Sequence, residues 1–171
     1  FDAARNYAEE PHGWFTLMGA SGTGKTHLAA AIANRCMERG IPAFFTLVPD
    51  LLDHLRGTFS PDNEVSYDDL FDQVKGVPLL VLDDLGVQKS TPWAEEKLFQ
   101  VLNHRYVNSL STVITTNVPL EQMDARLHSR LEDPRVSRVM DLGVSTRGSV
   151  AHIGKVEPEM LRRYYRTADI F

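Results

Sequence analysis

The chain has 171 residues, 43% of them hydrophobic and 24% charged, which is enough for one well-buried core and ordinary for a soluble globular domain. No apolar run approaches the ~20 residues of a membrane span, and no leader with a charged start and an apolar middle is present, so a soluble, cytoplasmic protein without membrane contact is expected. A net charge of −5 and a pI near 5.6 argue against a protein that coats DNA nonspecifically, and the single cysteine, Cys36, excludes a disulfide framework and a Cys-based metal site.

In chain order, a helix-like stretch over residues 3–10 comes first. The first residue is Phe1 rather than Met, which suggests a trimmed chain that lacks an N-terminal region. Residues 14–18 read as a buried strand and residues 27–39 as a helix closed by Gly40. Cys36 falls in that helix as a buried structural thiol. Residues 43–48 give a second strand, and Asp50 can cap a short helix ending at Gly57. A polar loop over residues 58–64 follows. Ser66, with Asp69 three residues on, resembles a helix start, and Gly76 ends that helix. Residues 79–83 are an aliphatic run closed by Asp83, typical of a strand covered on both faces. Thr91-Pro92 opens a long helix to about Ser109, with proline at the first helical position. Residues 112–116 form a β-branched strand, residues 121–131 a helical stretch, and residues 136–142 a last strand. Alternation of this kind implies one α/β domain with a parallel sheet covered by helices.

Three motifs carry chemistry. Gly19-Ala20-Ser21-Gly22-Thr23-Gly24-Lys25-Thr26 matches the phosphate-binding loop G-x-x-x-x-G-K-[ST] at the point where a strand hands over to a helix. Glycine lets successive backbone N–H groups curl around a triphosphate, and the positive end of the following helix points at it. Lys25 would reach the β- and γ-phosphates and Thr26 would ligate Mg²⁺, making ATP and Mg²⁺ the expected cofactors. His27, next to the loop, counts among the nucleotide-site residues but is expected to pack under the helix rather than do chemistry. The second motif, Leu79-Leu80-Val81-Leu82-Asp83-Asp84, ends a buried strand in acids, so that Asp83 can hold Mg²⁺ through water and Asp84 can orient or polarise an attacking water. The shorter Asp at position 84, where many such motifs carry Glu, points to slow or partner-dependent hydrolysis. The third, Thr115-Thr116-Asn117, ends a strand between those bearing the other two, and Asn117 can position that water or sense the γ-phosphate.

Together with His27-Leu28-Ala29, Leu85-Gly86, Ser129-Arg130-Leu131 and the stretches over residues 93–99 and 103–106, these motifs resemble the AAA+ ATPases of the DnaC/DnaI helicase-loader family and the related transposition ATPase IstB. The resemblance implies a five-stranded parallel sheet of order 5-1-4-3-2 and side-by-side homo-oligomers in the ATP state, with ATP sandwiched between neighbouring subunits. It also gives Arg130 the role of an arginine finger on the adjacent protomer's γ-phosphate, since a guanidinium stays charged and forks onto phosphate oxygens. Arg126, four residues earlier, and Arg105 are further inter-subunit candidates. Too few residues follow Leu142 for the usual helical lid; Arg147 qualifies as a second sensor by position alone, and residues 159–165 read as a terminal amphipathic segment.

The partners this implies are a replicative DNA helicase, met through the missing N-terminal region, and single-stranded DNA, bound weakly and locally. Within residues 50–56, which correspond to the channel-facing insertion of loaders, only His54 and Arg56 offer positive or switchable charge, while Leu51, Leu52 and Leu55 face inward; Phe59 and Tyr67 are candidates for added stacking. The alternatives are an IstB-like transposition helper, a small-molecule kinase on the same phosphate loop, and a non-hydrolysing nucleotide-switched module. The six histidines show no metal-ligand spacing, and no covalent-catalysis triad stands out.

Overall fold

The computed structural model describes residues 1–57, 67–86 and 91–143. In chain order the elements are α1 (Asp2–Glu9), β1 (Trp14–Met18), α2 (Lys25–Glu38), β2 (Ala43–Leu47), α3 (Val48–Gly57), α4 (Tyr67–Gly76), β3 (Leu79–Asp83), α5 (Pro92–Val107), β4 (Ser111–Thr116), a 3₁₀ turn (Leu120–Gln122), α6 (Ala125–Leu131) and β5 (Ser137–Asp141). The strands form one sheet of order β2-β3-β4-β1-β5, every pair parallel. This is the order the family resemblance implied, written from the opposite edge.

Successive side chains of a strand point to opposite faces, and in the central strands β1, β3 and β4 both faces are buried. Trp14, Leu80, Leu82 and Ile114 join a cluster with residues of α3, α4, α5 and α6. Phe15, Leu17, Leu79, Val81 and Val113 join a second cluster with α1 and α2. Burial on both sides explains why β1 and β3 are apolar apart from Thr16 and the terminal Asp83. By the same alternation, Asp83 continues the Leu79–Val81 row and Thr115 continues the Val113 row, so both belong to the α2 side.

Several boundaries differ from the sequence expectation for local reasons. Gly24, at φ 88, is the N-cap of α2, so that helix begins at Lys25 rather than residue 27. Val48 is fully buried and opens α3 instead of closing β2, which puts Asp50 inside the first helical turn rather than at the cap. The long α5 begins as expected, with Thr91 Oγ1 accepting from the Ala94 amide at 3.2 Å and Pro92 in the first turn. The helical stretch expected over residues 121–131 splits into the 3₁₀ turn and α6, because Asp124 caps α6 by accepting from the Arg126 amide at 3.0 Å. Ser66, the loop over residues 58–64, Phe59, Arg147 and the segment over residues 159–165 lie outside the described residues.

Cys36 is fully buried, and its thiol donates to the Ala8 carbonyl at 3.6 Å. Burial pushes the thiol pKa up, as expected of an inert structural cysteine.

Candidate functional site

The carboxyl ends of β1, β3 and β4 converge, since these strands are parallel neighbours. The phosphate loop leaves β1 at Gly19, with Gly19, Gly22 and Gly24 at φ 149, 82 and 88. Side chains rarely adopt these values, and the curl of the loop depends on them. Ala20, Ser21 and Gly22 are exposed at its rim, and Thr23 Oγ1 donates to the Ala20 carbonyl at 2.9 Å. The loop runs into α2, a helix of 14 residues whose N-terminal amides face the same edge. Lys25 is 5% exposed and folds back over the loop, donating from Nζ to the carbonyls of Gly19 (2.9 Å) and Ala20 (2.8 Å). Its ammonium is thus already inside the cradle. His27 is exposed, which corrects the expectation that it packs beneath α2: two residues past buried Lys25, it points off the buried face.

Asp83 is 2% exposed, and its Oδ1 accepts two hydroxyl protons, from Thr26 Oγ1 at 3.1 Å and from Thr115 Oγ1 at 2.5 Å. Burial, as the largest cause, pushes its carboxyl above the ordinary carboxylate range, with the two hydroxyls and nearby Lys25 pulling the other way. A carboxylate and a hydroxyl this close make the hard-oxygen donor pair that suits Mg²⁺ beside a triphosphate. Asp84 follows in a left-handed conformation, φ 58, half-buried, with its amide donating to Thr115 Oγ1 at 2.9 Å. Asn117 is exposed in the turn after β4. Within the motif singled out from the sequence, the residue that touches the acids is Thr115.

The arginines separate into two environments. Arg130 and Arg126 lie on α6 beside α5, their guanidinium carbons 4.8 and 4.1 Å from the Phe99 ring centroid. Arg130 donates to Asn103 Oδ1 at 2.6 Å and to the Arg126 carbonyl at 2.8 Å, while its buried Nε has no acceptor among the described residues. Arg126 pairs with Asp124 at 3.1 Å and Glu96 at 3.5 Å. Arg105, by contrast, is wholly buried, which overturns its candidacy for inter-subunit contact. Its guanidinium donates to Thr112 Oγ1 (2.9 Å) and to the carbonyls of Lys75 (2.9 Å), Val77 (2.8 Å) and Ser111 (2.5 Å). Burial pulls its pKa down to about 10. It satisfies carbonyls where α4 ends and β4 begins, a task suited to five donors in a fixed fork.

Arg56 is half exposed, 3.6 Å from Asp53 and with its guanidinium 4.8 Å from the Trp93 ring centroid. His54 Nδ1 lies 3.0 Å from the Asp50 carbonyl, and Tyr67 stacks on Phe71 at 5.4 Å. Leu51, Leu52 and Leu55 are buried as expected. Among the described residues no helix is long and apolar enough to cross a membrane, and no group of three or more metal-ligating side chains occurs.

A parallel sheet of this order, with a glycine loop feeding α2 and a buried acid one strand over, defines a P-loop nucleotide-binding domain of the AAA+ class. Residues 7–141 match the IstB-like ATP-binding protein family, and the chain belongs to that family. It is 34% identical over 133 residues to the replicative helicase loader DnaC of Escherichia coli strain K12, covering 76% of this chain and 54% of the relative. The crystal structure of the DnaC helicase loader superposes with a TM-score of 0.65 at 28% identity, covering 81% of this chain and 85% of that one. The crystal structure of DnaI gives 0.69 at 26% identity, covering 82% and 81%. The chain spans about half the length of the curated relatives it matches.

Proposed function

We propose that this chain is the ATPase domain of a replicative helicase loader, binding Mg·ATP and hydrolysing it slowly between neighbouring subunits. The observation that carries the reading is the convergence of Lys25, Thr26 and Asp83 at one sheet edge, in a chain 34% identical to a helicase loader. In this reading Lys25 leaves the Gly19 and Ala20 carbonyls for the β- and γ-phosphates, and the loop amides with the start of α2 hold the remaining charge. Thr26, and Asp83 through water, would hold Mg²⁺, which would supply positive charge opposite the phosphate oxygens. Asp84 orients water and accepts its proton as the new P–O bond forms and the γ-phosphoryl bond to ADP breaks. Asn117, exposed at the end of β4, aligns that water. Arg130 exchanges Asn103 and the Phe99 ring for the γ-phosphate of an adjacent subunit, so turnover follows assembly. A region preceding Phe1 contacts the helicase, and single-stranded DNA is held weakly along the assembled subunits.

ATP turnover measured against protein concentration, with and without single-stranded DNA, tests the enzyme; capture of a replicative helicase by the full-length protein tests the role. Turnover independent of concentration and no helicase capture would defeat the reading. The family's description as IstB-like favours a second one, a transposition helper, in which the full-length protein retains a transposase instead.

A further inference from the structure

We infer that Thr115 is a positioning residue for the acid pair of the nucleotide site, its single hydroxyl holding the Asp83 carboxylate and fixing the backbone of Asp84. The inference rests on the Mg·ATP reading above. The β3–β4 register pairs Leu79 with Ser111, Val81 with Val113 and Leu82 with Ile114. One step further sets Thr115 beside Asp83, both on the α2 side. There the fully buried Oγ1 donates its proton to Asp83 Oδ1 at 2.5 Å and accepts from the Asp84 amide at 2.9 Å. A hydroxyl has one donor and two acceptor lone pairs. Both kinds of bond are used, each on a different acid.

The rest of the β3 exit is shaped on the same strand end. The Leu85 amide donates to the Thr115 carbonyl at 2.8 Å, and Thr116 Oγ1 donates to the Leu85 carbonyl at 2.7 Å. Gly86, at φ 96, lies so near Val118 that a Cβ there would stand 3.0 Å from Val118 Cγ2. An L-residue persists at φ 58, as Asp84 does, only where its surroundings over-determine it. The Thr115 hydroxyl is the part of that surround that also reaches the metal-binding carboxylate. Valine would fill the same space, as it does at Val113 two residues earlier, but would leave the Asp84 amide unpaired and Asp83 Oδ1 with Thr26 alone.

The test compares Thr115→Val, Thr115→Ser and Thr115→Ala with the parent chain. It reads ATP-analogue fluorescence during Mg²⁺ titration, binding in EDTA, turnover and thermal unfolding. Thr115→Val is expected to raise the half-saturating Mg²⁺ concentration about 10- to 100-fold and to lower turnover, with metal-free nucleotide affinity unchanged. Thr115→Ser is expected to stay close to the parent. Parent values in Thr115→Val, or equal impairment in Thr115→Ser and Thr115→Val, would overturn the inference. Should Thr115→Val fail to fold, Thr115→Ser and Thr115→Ala lack the same methyl group and differ only in the hydroxyl, so matching Mg²⁺ titrations in that pair overturn it as well. A parent chain that binds no Mg·ATP would instead defeat the underlying reading.

Discussion

The nucleotide cradle and the α5–α6 arginine face differ in how completely one chain satisfies them. In the cradle, Lys25, Asp83 and Thr115 are at most 5% exposed, and their polar atoms meet partners contributed by α2, β3, β4 and the loop. On the α6 face, Arg126 and Arg130 rest on Phe99 and share short contacts with Asn103, Asp124 and Glu96 near solvent. Exposed ion pairs and cation–π contacts are weakened by water and salt, so a phosphate at the proposed shared site would compete with them readily. In the proposed reading both regions trade contacts for phosphate, but Lys25 does so buried within its own loop and Arg130 from a half-exposed helix face.

The largest expected effect breaks that comparison if it fails. Arg130→Ala should lower assembly-dependent turnover roughly 10³-fold while the isolated domain keeps its ATP affinity, and mixing it with Lys25→Ala should partly restore turnover. Steady-state ATPase assays on single and mixed variants check this; normal turnover in Arg130→Ala would move the finger to Arg126. Next, Arg105→Met should destabilise the fold by about 3 kcal/mol, because several buried carbonyls are left without a donor at once, as read by denaturant unfolding. An Arg105→Met protein as stable as the parent would mean that burial does not separate the two kinds of arginine.

Lys25→Ala should weaken Mg·ATP binding about 100-fold, since a charge-assisted hydrogen bond to the phosphates disappears, with thermal stability nearly unchanged. Calorimetry showing unaltered affinity in the folded variant would remove the cradle from the reading. Asp84→Asn should keep nucleotide binding and lower turnover roughly 100-fold, whereas Asp83→Asn should weaken Mg²⁺-dependent binding itself. Identical, parent-like behaviour in both would leave these acids as strand caps. The smallest effect is expected from Arg56→Glu, since Arg56 is already engaged with Asp53 and Trp93. It should weaken single-stranded DNA binding only in the ATP-driven assembly, reducing the salt slope by about 1 for each phosphate that an Arg56 side chain no longer neutralises; parent affinity and slope would put the DNA path elsewhere.

The phosphate loop, the parallel α/β alternation and the sheet order were legible from residue patterns and the resemblance they carry. Helix limits were less so at Gly24 and Asp124, where a backbone angle or a single cap decides the boundary. Arg105 looks no different from Arg126 along the chain. The helical spacing of α5 does not say that one of its polar residues turns inward to meet the end of α4. Asn117 stands out as the polar end of a strand, yet Thr115, two residues earlier, is the one that meets the acids.

What the sequence by itself determined is local. A glycine loop followed by Lys25 and Thr26 specifies, within eight consecutive residues, its curl and the presence of a helix after it, because φ freedom and helix-terminal amides act over one turn. What only the tertiary structure decided joins residues far apart: Asp83 meets Thr26 across 57 positions and Thr115 across 32. Those meetings depend on strand register, and a slip of one residue would turn every side chain of β4 to the other face of the sheet.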